Sequence, residues 1–198
     1  MRTSARFLVG LTLACASTMI SAQTATRVRG TITAVDAASI AVKSRSGEDL
    51  KLALADNLGV TVATAVRFED IKPGDYVGSA AVKGADGRLT ALEVHFLPPN
   101  VPPGHTAWDL APGSTMTNAN VVEATVAGTG GRELSLKYKD GEQRITVPPN
   151  APIVRAVPGT RADLKVGESV FIAAQSAADG KLTALRIQVS RDGVKPPQ

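Results

Sequence analysis

The chain has 198 residues, 22 Lys plus Arg against 18 Asp plus Glu and 43% hydrophobic residues, a balance too apolar for a disordered tail, so it is expected to fold. Its single cysteine, Cys15, lies in a segment expected to be removed, which leaves no thiol for a nucleophile, a thiolate zinc site or a disulfide. Aromatic content of 4%, with one Trp, argues against a carbohydrate platform or a single-strand nucleic-acid groove, since both stack several rings.

Residues 1–22 open with Arg2 and Arg6, continue through the apolar run Phe7-Leu-Val-Gly-Leu-Thr-Leu-Ala-Cys-Ala and end Ile20-Ser21-Ala22, the layout of a cleaved signal peptide. A lipoprotein cut before Cys15 is the other reading of the segment, but Thr12 stands where an aliphatic residue is usual. Export places the mature chain in the periplasm or outside the cell. Nothing after residue 22 is apolar for long enough to span a bilayer, so no membrane insertion is expected. Without Arg2 and Arg6 the balance is 22 − 2 = 20 positive against 18 negative, and the cations are scattered, so no nucleic-acid partner is predicted.

The chain then repeats itself. Residues 27–98 can be laid over residues 120–191, best at Asp86-Gly-Arg-Leu-Thr-Ala-Leu-Glu-Val94 over Asp179-Gly-Lys-Leu-Thr-Ala-Leu-Arg-Ile187, an offset of 179 − 86 = 93. A second anchor is Ile71-Lys-Pro-Gly-Asp-Tyr-Val77 over Leu164-Lys-Val-Gly-Glu-Ser-Val170. Within a unit the apolar spacing is two, as in Ile40 and Val42 or Leu50, Leu52 and Leu54, which predicts half-buried strands. Turn chemistry separates them at Asp36-Ala-Ala, Ser46-Gly47, Asp86-Gly87, Asp140-Gly141 and Asp179-Gly180. Between the third and fourth strands runs a longer connection with a helical turn expected at Phe68 to Ile71.

The expected fold is therefore all-β: two tandem OB-like small barrels of about five strands each, at 27–98 and 120–191, joined by a Pro-rich linker at 99–119 and followed by a tail at 192–198. An SH3-like barrel or a short sandwich has a similar element count. In the last strand of the first unit Leu92, Val94 and Phe96 are expected inside, Glu93 and His95 outside.

The stretch Gly30-Thr-Ile-Thr-Ala-Val-Asp36 with Ile71-Lys-Pro-Gly-Asp75 and Asp86-Gly-Arg-Leu-Thr-Ala91 resembles exported bacterial small β-barrel domains known only as domains of unknown function. The segment Gly104-His-Thr-Ala-Trp-Asp109 is similar to one in relatives that carry the label of a metal ABC transporter permease. The resemblance implies fold and no activity.

The linker holds the rare residues: His105, Trp108 and Met116, with His95 at its border and Pro99, Pro102, Pro103 and Pro112 inside it. One reading is a metal site in which His95, His105, Asp109 and Met116 are ligands and Trp108 lies near the ion; imidazole with thioether suits copper, imidazole with carboxylate suits zinc. The other is packing, with His95 exposed on its strand, Trp108 plugging the groove between barrels, Met116 beside it and Asp109 capping a turn. No nucleophile elbow or phosphate loop is present, so no enzymatic activity is expected. The resulting expectation is a non-enzymatic binding module with a cell-envelope protein as its partner; the alternative is a copper- or zinc-binding protein that uses the linker.

Overall fold

The computed structural model describes residues 24–126 and 131–197; the expected signal peptide and Cys15 lie outside them. The strands are β1 (Thr24–Val35), β2 (Ser39–Ser44), β3 (Asp49–Ala65), β4 (Tyr76–Lys83), β5 (Leu89–Phe96), β6 (Gly104–Ala107), β7 (Ser114–Val126), β8 (Arg132–Tyr138), β9 (Gly141–Thr146), β10 (Ile153–Pro158), β11 (Ser169–Ser176) and β12 (Leu182–Val189). The fold is all-β, with 3₁₀ turns at Phe68–Asp70 and Arg161–Asp163 as its only helical pieces among the described residues. Alternation places Ile40 and Val42 inside and Lys43 outside, as period two requires. The Asp86-Gly87 and Asp179-Gly180 turns both hold glycine at φ 80°, a conformation that side-chain-bearing residues rarely adopt.

Strand pairing does not follow the repeat boundaries. β1 pairs with β2, β2 with β3, β3 in parallel with β12, β12 with β11, and β11 back with β1, closing a five-stranded barrel. Its first three strands come from the first repeat and its last two from the second. Five of the remaining strands form a second ring in the order β7, β8, β9, β5, β4, closed in parallel through Leu89↔Ile145 and Thr90↔Thr146, and β10 lies outside both rings, between β3 and β5. Strand β6 lies on the edge of β7, outside that ring.

The cores confirm the mixing. Val28, Ile32, Ile40, Val42, Leu52 and Val62 pack with Val170, Ile172, Ile187 and Val189 in one cluster. Phe68, Ile71, Val77 and Val94 pack with Val121, Leu134, Leu136 and Ile145 in the other. Burying each such side chain contributes about 1.5–3 kcal/mol, so neither repeat has a complete core from its own strands.

One barrel per repeat, with boundaries at 27–98 and 120–191, is thus corrected: the chain leaves the first ring after β3, builds the whole second ring, and returns through β10 to β11 and β12. The crossing is the antiparallel pair of β3 and β10, where Val62 meets Val157 and Ala65 meets Val154. The 99–119 linker is also corrected, since β6 and the first half of β7 are strands that complete a sheet. The second repeat begins near Ser114, because Ile32 N–H bonds Glu168 O as Val121 N–H bonds Asp75 O, which makes the first-strand offset 121 − 32 = 89 against 168 − 75 = 93 later. The β7–β8 hairpin adds five positions, since Glu123↔Ser135 spans 12 where Ala34↔Ala41 spans 7, and the β8–β9 hairpin returns one, since Leu134↔Ile145 spans 11 where Ile40↔Leu52 spans 12.

Candidate functional site

The outer face of the β5–β4–β7–β6 sheet is built from directly paired rows: Glu93, Ala80, Met116 and Thr106 in one, His95, Gly78, Asn118 and Gly104 in the next. Cross-strand partners point to the same side, so these residues share a face. The β5, β4 and β7 part of that face is covered, for Ala80 is fully buried and Met116 and Glu93 are each only 4% exposed, while Thr106 on β6 is exposed.

His95 therefore is not an exposed strand histidine. The ring lies over Gly78, where a Cβ would come within 2.5 Å of His95 Nε2 and 3.0 Å of Asn118 Oδ1. His95 Nδ1 stands 3.8 Å from Glu93 Oε1, and it and Asn118 Oδ1 are buried without hydrogen-bond partners among the described residues. Burial pushes the His95 imidazole down to about 4, so it is neutral near pH 7.

His105 faces the other way. It pairs with Thr117, its Nδ1 is 2.8 Å from Thr117 Oγ1, and its ring stacks on Tyr138 at a centroid distance of 6.5 Å. Because neighbours along β7 alternate, Thr117 and His105 lie on the side opposite Met116. The four expected ligands are not brought together, and no group of three or more His, Cys, Asp or Glu able to hold a metal ion occurs among the described residues.

Asp109 and Trp108 instead dock on β1. Arg29 donates from both terminal nitrogens to Asp109, at 2.7 and 3.0 Å, a bidentate pair whose Arg29 side chain is 10% exposed. These hydrogen bonds, with the guanidinium charge, hold the Asp109 carboxyl below the usual carboxylate range. The Arg27 guanidinium sits 4.5 Å and that of Arg29 5.8 Å from the Trp108 ring centroid, and Arg29 also lies 5.3 Å from that of Phe171. The Trp108 backbone donates to Ser114 O on β7, so the residue ties the second ring to the first strand of the other.

Beside this clasp opens a cavity of about 490 Å³, lined by Arg27, Arg29, Arg45, Glu48, Leu50 and Leu182 among others. Arg27 and Arg45 have no ion-pair partner among the described residues, whereas Arg29 is paired with Asp109. The sequence reading passed over these arginines as scattered cations. The alternation Arg27-Val28-Arg29 on a strand was the available signal, since it sets both guanidinium groups on one face.

Residues 29–95 match the model of a domain of unknown function, DUF5666. The matched segment runs from β1 through β5, so this chain divides one such unit between its two rings. Neither the search of curated proteins nor that of solved structures found a match.

Proposed function

We propose that this protein is a non-enzymatic, exported binding module of the cell envelope, built from two OB-like barrels, that presents the Arg27–Trp108–Arg45 region to a partner protein. The observation that carries this reading is the cavity of about 490 Å³ lined by Arg27 and Arg45, which have no ion-pair partner among the described residues, with Arg27 over the Trp108 ring. Open, partly apolar recesses with a few convergent charged groups are the default binding sites of small domains. The OB-like assignment is supported by strand order: counted by position in the repeat, each ring reads first, second, third, fifth, fourth with the third and fifth parallel, although in the second ring the strands at the fourth and fifth positions, β4 and β5, come first in the chain. Export is supported by the apolar run behind Arg2 and Arg6.

A photo-reactive residue placed at Arg45 in the exported protein tests the reading in cells, with the exposed Lys165 as the control position. A discrete protein adduct from position 45 and none from position 165 is expected. The same adducts from both positions, or none from either, would contradict a binding role for this face.

A further inference from the structure

The two rings are built alike, but one sheet edge is filled and its counterpart is open among the described residues. In the second ring β6 lies antiparallel on β7, with Gly104↔Asn118, His105↔Thr117, Thr106↔Met116 and Ala107↔Thr115 as partners. By the 89-residue offset, Asn118, Thr117, Met116 and Thr115 correspond to Arg29, Val28, Arg27 and Thr26 of β1. Among the described residues β1 is paired with β11 along Thr24–Thr31, but with β2 only from Gly30 onward.

The direction of the free groups follows from two bonds. Arg45 N–H donates to Arg29 O on the β2 side, while Ile32 N–H donates to Glu168 O on the β11 side. The N–H and C=O of one residue point the same way and successive residues alternate, so those of Arg27 and Ala25 point out of the open edge. The cavity of about 490 Å³ lies along this edge and includes Thr26, Arg27, Val28 and Arg29 in its wall.

We propose that the open edge of β1 takes up an extended segment of a partner protein, antiparallel to Thr24–Arg29, in which acidic residues alternate with apolar ones. This rests on the binding-module reading and names its site and partner chemistry. Backbone bonds to Arg27 and Ala25 supply the pairing, as in other strand additions. A residue opposite Arg27 points to the side of Arg27 and Trp108, where a guanidinium with no ion-pair partner among the described residues favours a carboxylate. Its neighbours point the other way, toward Val28, Leu50 and Leu182, the places that His105 and Tyr138 fill in the second ring. Two copies of this chain joined edge to edge would bring Arg27 and Arg29 of each against the other's arginines, which disfavours self-pairing.

The test uses the mature protein, ¹⁵N-labelled, and an acetylated, amidated octapeptide of alternating valine and glutamate. Its controls are the same peptide N-methylated at alternate residues along the bonding side and an alternating valine–lysine peptide. We expect saturable shifts centred on the amides of Ala25, Arg27 and Arg45. Affinity should fall about tenfold or more on N-methylation, on exchange of glutamate for lysine, and in Arg27→Glu, each removing at least one bond or ion pair of ordinary strength. Arg27→Glu changes an exposed residue, and unchanged amide positions in the second ring show that the variant is folded. Equal binding of the N-methylated peptide, or shifts elsewhere, overturns strand addition and leaves the binding-module reading to its cross-linking test. No binding at millimolar peptide also overturns it, and the arginines are then guards that keep the edge from pairing.

Discussion

Ala63 and Ala156, which stand 156 − 63 = 93 residues apart, are direct partners in the antiparallel pair of β3 and β10. Each is the counterpart of the other in the repeat, so a local two-fold relation passes between them. All five strands of the second ring lie between the two members of this pair in sequence, and the first ring is made of β1, β2 and β3 before it with β11 and β12 after it.

A fragment of residues 66–158 carries every strand of the second ring in one stretch, together with Phe68 and Ile71 of its core. It should unfold cooperatively on its own in a denaturant titration followed by circular dichroism. Collapse of this fragment alongside a stably folded Thr26–Pro99 fragment would restore the repeat boundaries as domain boundaries.

His95 gives the protein an acid sensitivity with a definite window. Its imidazole titrates near 6.5 unfolded and near 4 folded, so the unfolded chain binds the extra proton between those values. The stabilisation is complete above about pH 6.5 and is lost as pH falls toward 4, by about 3 kcal/mol at most. Urea unfolding at pH 7 and pH 4.5 should show the drop, and His95→Gln, which copies Gln188 of the second repeat, should remove most of it. An equal drop in His95→Gln would assign the effect to other groups. The carboxylates held low, such as Asp109, lose their contribution only as pH falls through and below their ordinary range near 3.8.

Trp108→Ala removes a ring that two guanidinium groups cover, and should lower stability by about 1–3 kcal/mol, less than for a sealed core aromatic. Asp109→Asn leaves the nearly buried Arg29, whose Nε already lacks a partner among the described residues, without its carboxylate. A loss of about 1–3 kcal/mol, diminished by salt, is expected in thermal unfolding. Wild-type stability in both variants would show that the clasp does not hold the rings.

Titration with Zn(II) or Cu(I) should leave Trp108 fluorescence unchanged at one equivalent. His105 lies across the sheet from His95 and Met116, and Asp109 is engaged by Arg29. A stoichiometric change abolished by His105→Ala would mean that the sheet face rearranges to gather the ligands.

Strands and turns were legible in the sequence because their causes are local: period-two burial at Ile40 and Val42, and Asp-Gly at residues 86–87 and 179–180. The exchange was not. Asp86–Val94 and Asp179–Ile187 are so similar that either closing strand suits either ring, and the choice rests on β3 pairing with β10, two strands that belong to neither segment. Leu92 and Leu185 stand at matching bulges, another feature that alternation alone does not reveal. His95 was correctly placed outside its own ring, yet that outside is a covered sheet face. For Met116 the proline-rich surroundings hid a strand whose partners, Ala80 and Thr106, come from other parts of the chain.

Strand exchange is tested most directly by Hα–Hα nuclear Overhauser contacts in the whole mature chain. Non-hydrogen-bonded antiparallel partners bring their Cα atoms to about 4.5 Å. On the edge shared by β1 and β11 these are Arg27 with Ala173 and Arg29 with Phe171, and contacts within both pairs are predicted. Contacts of Arg27 with Ala80 and of Arg29 with Gly78, each 93 residues earlier (173 − 93 and 171 − 93), would mean that each repeat closes on itself, and would contradict the account.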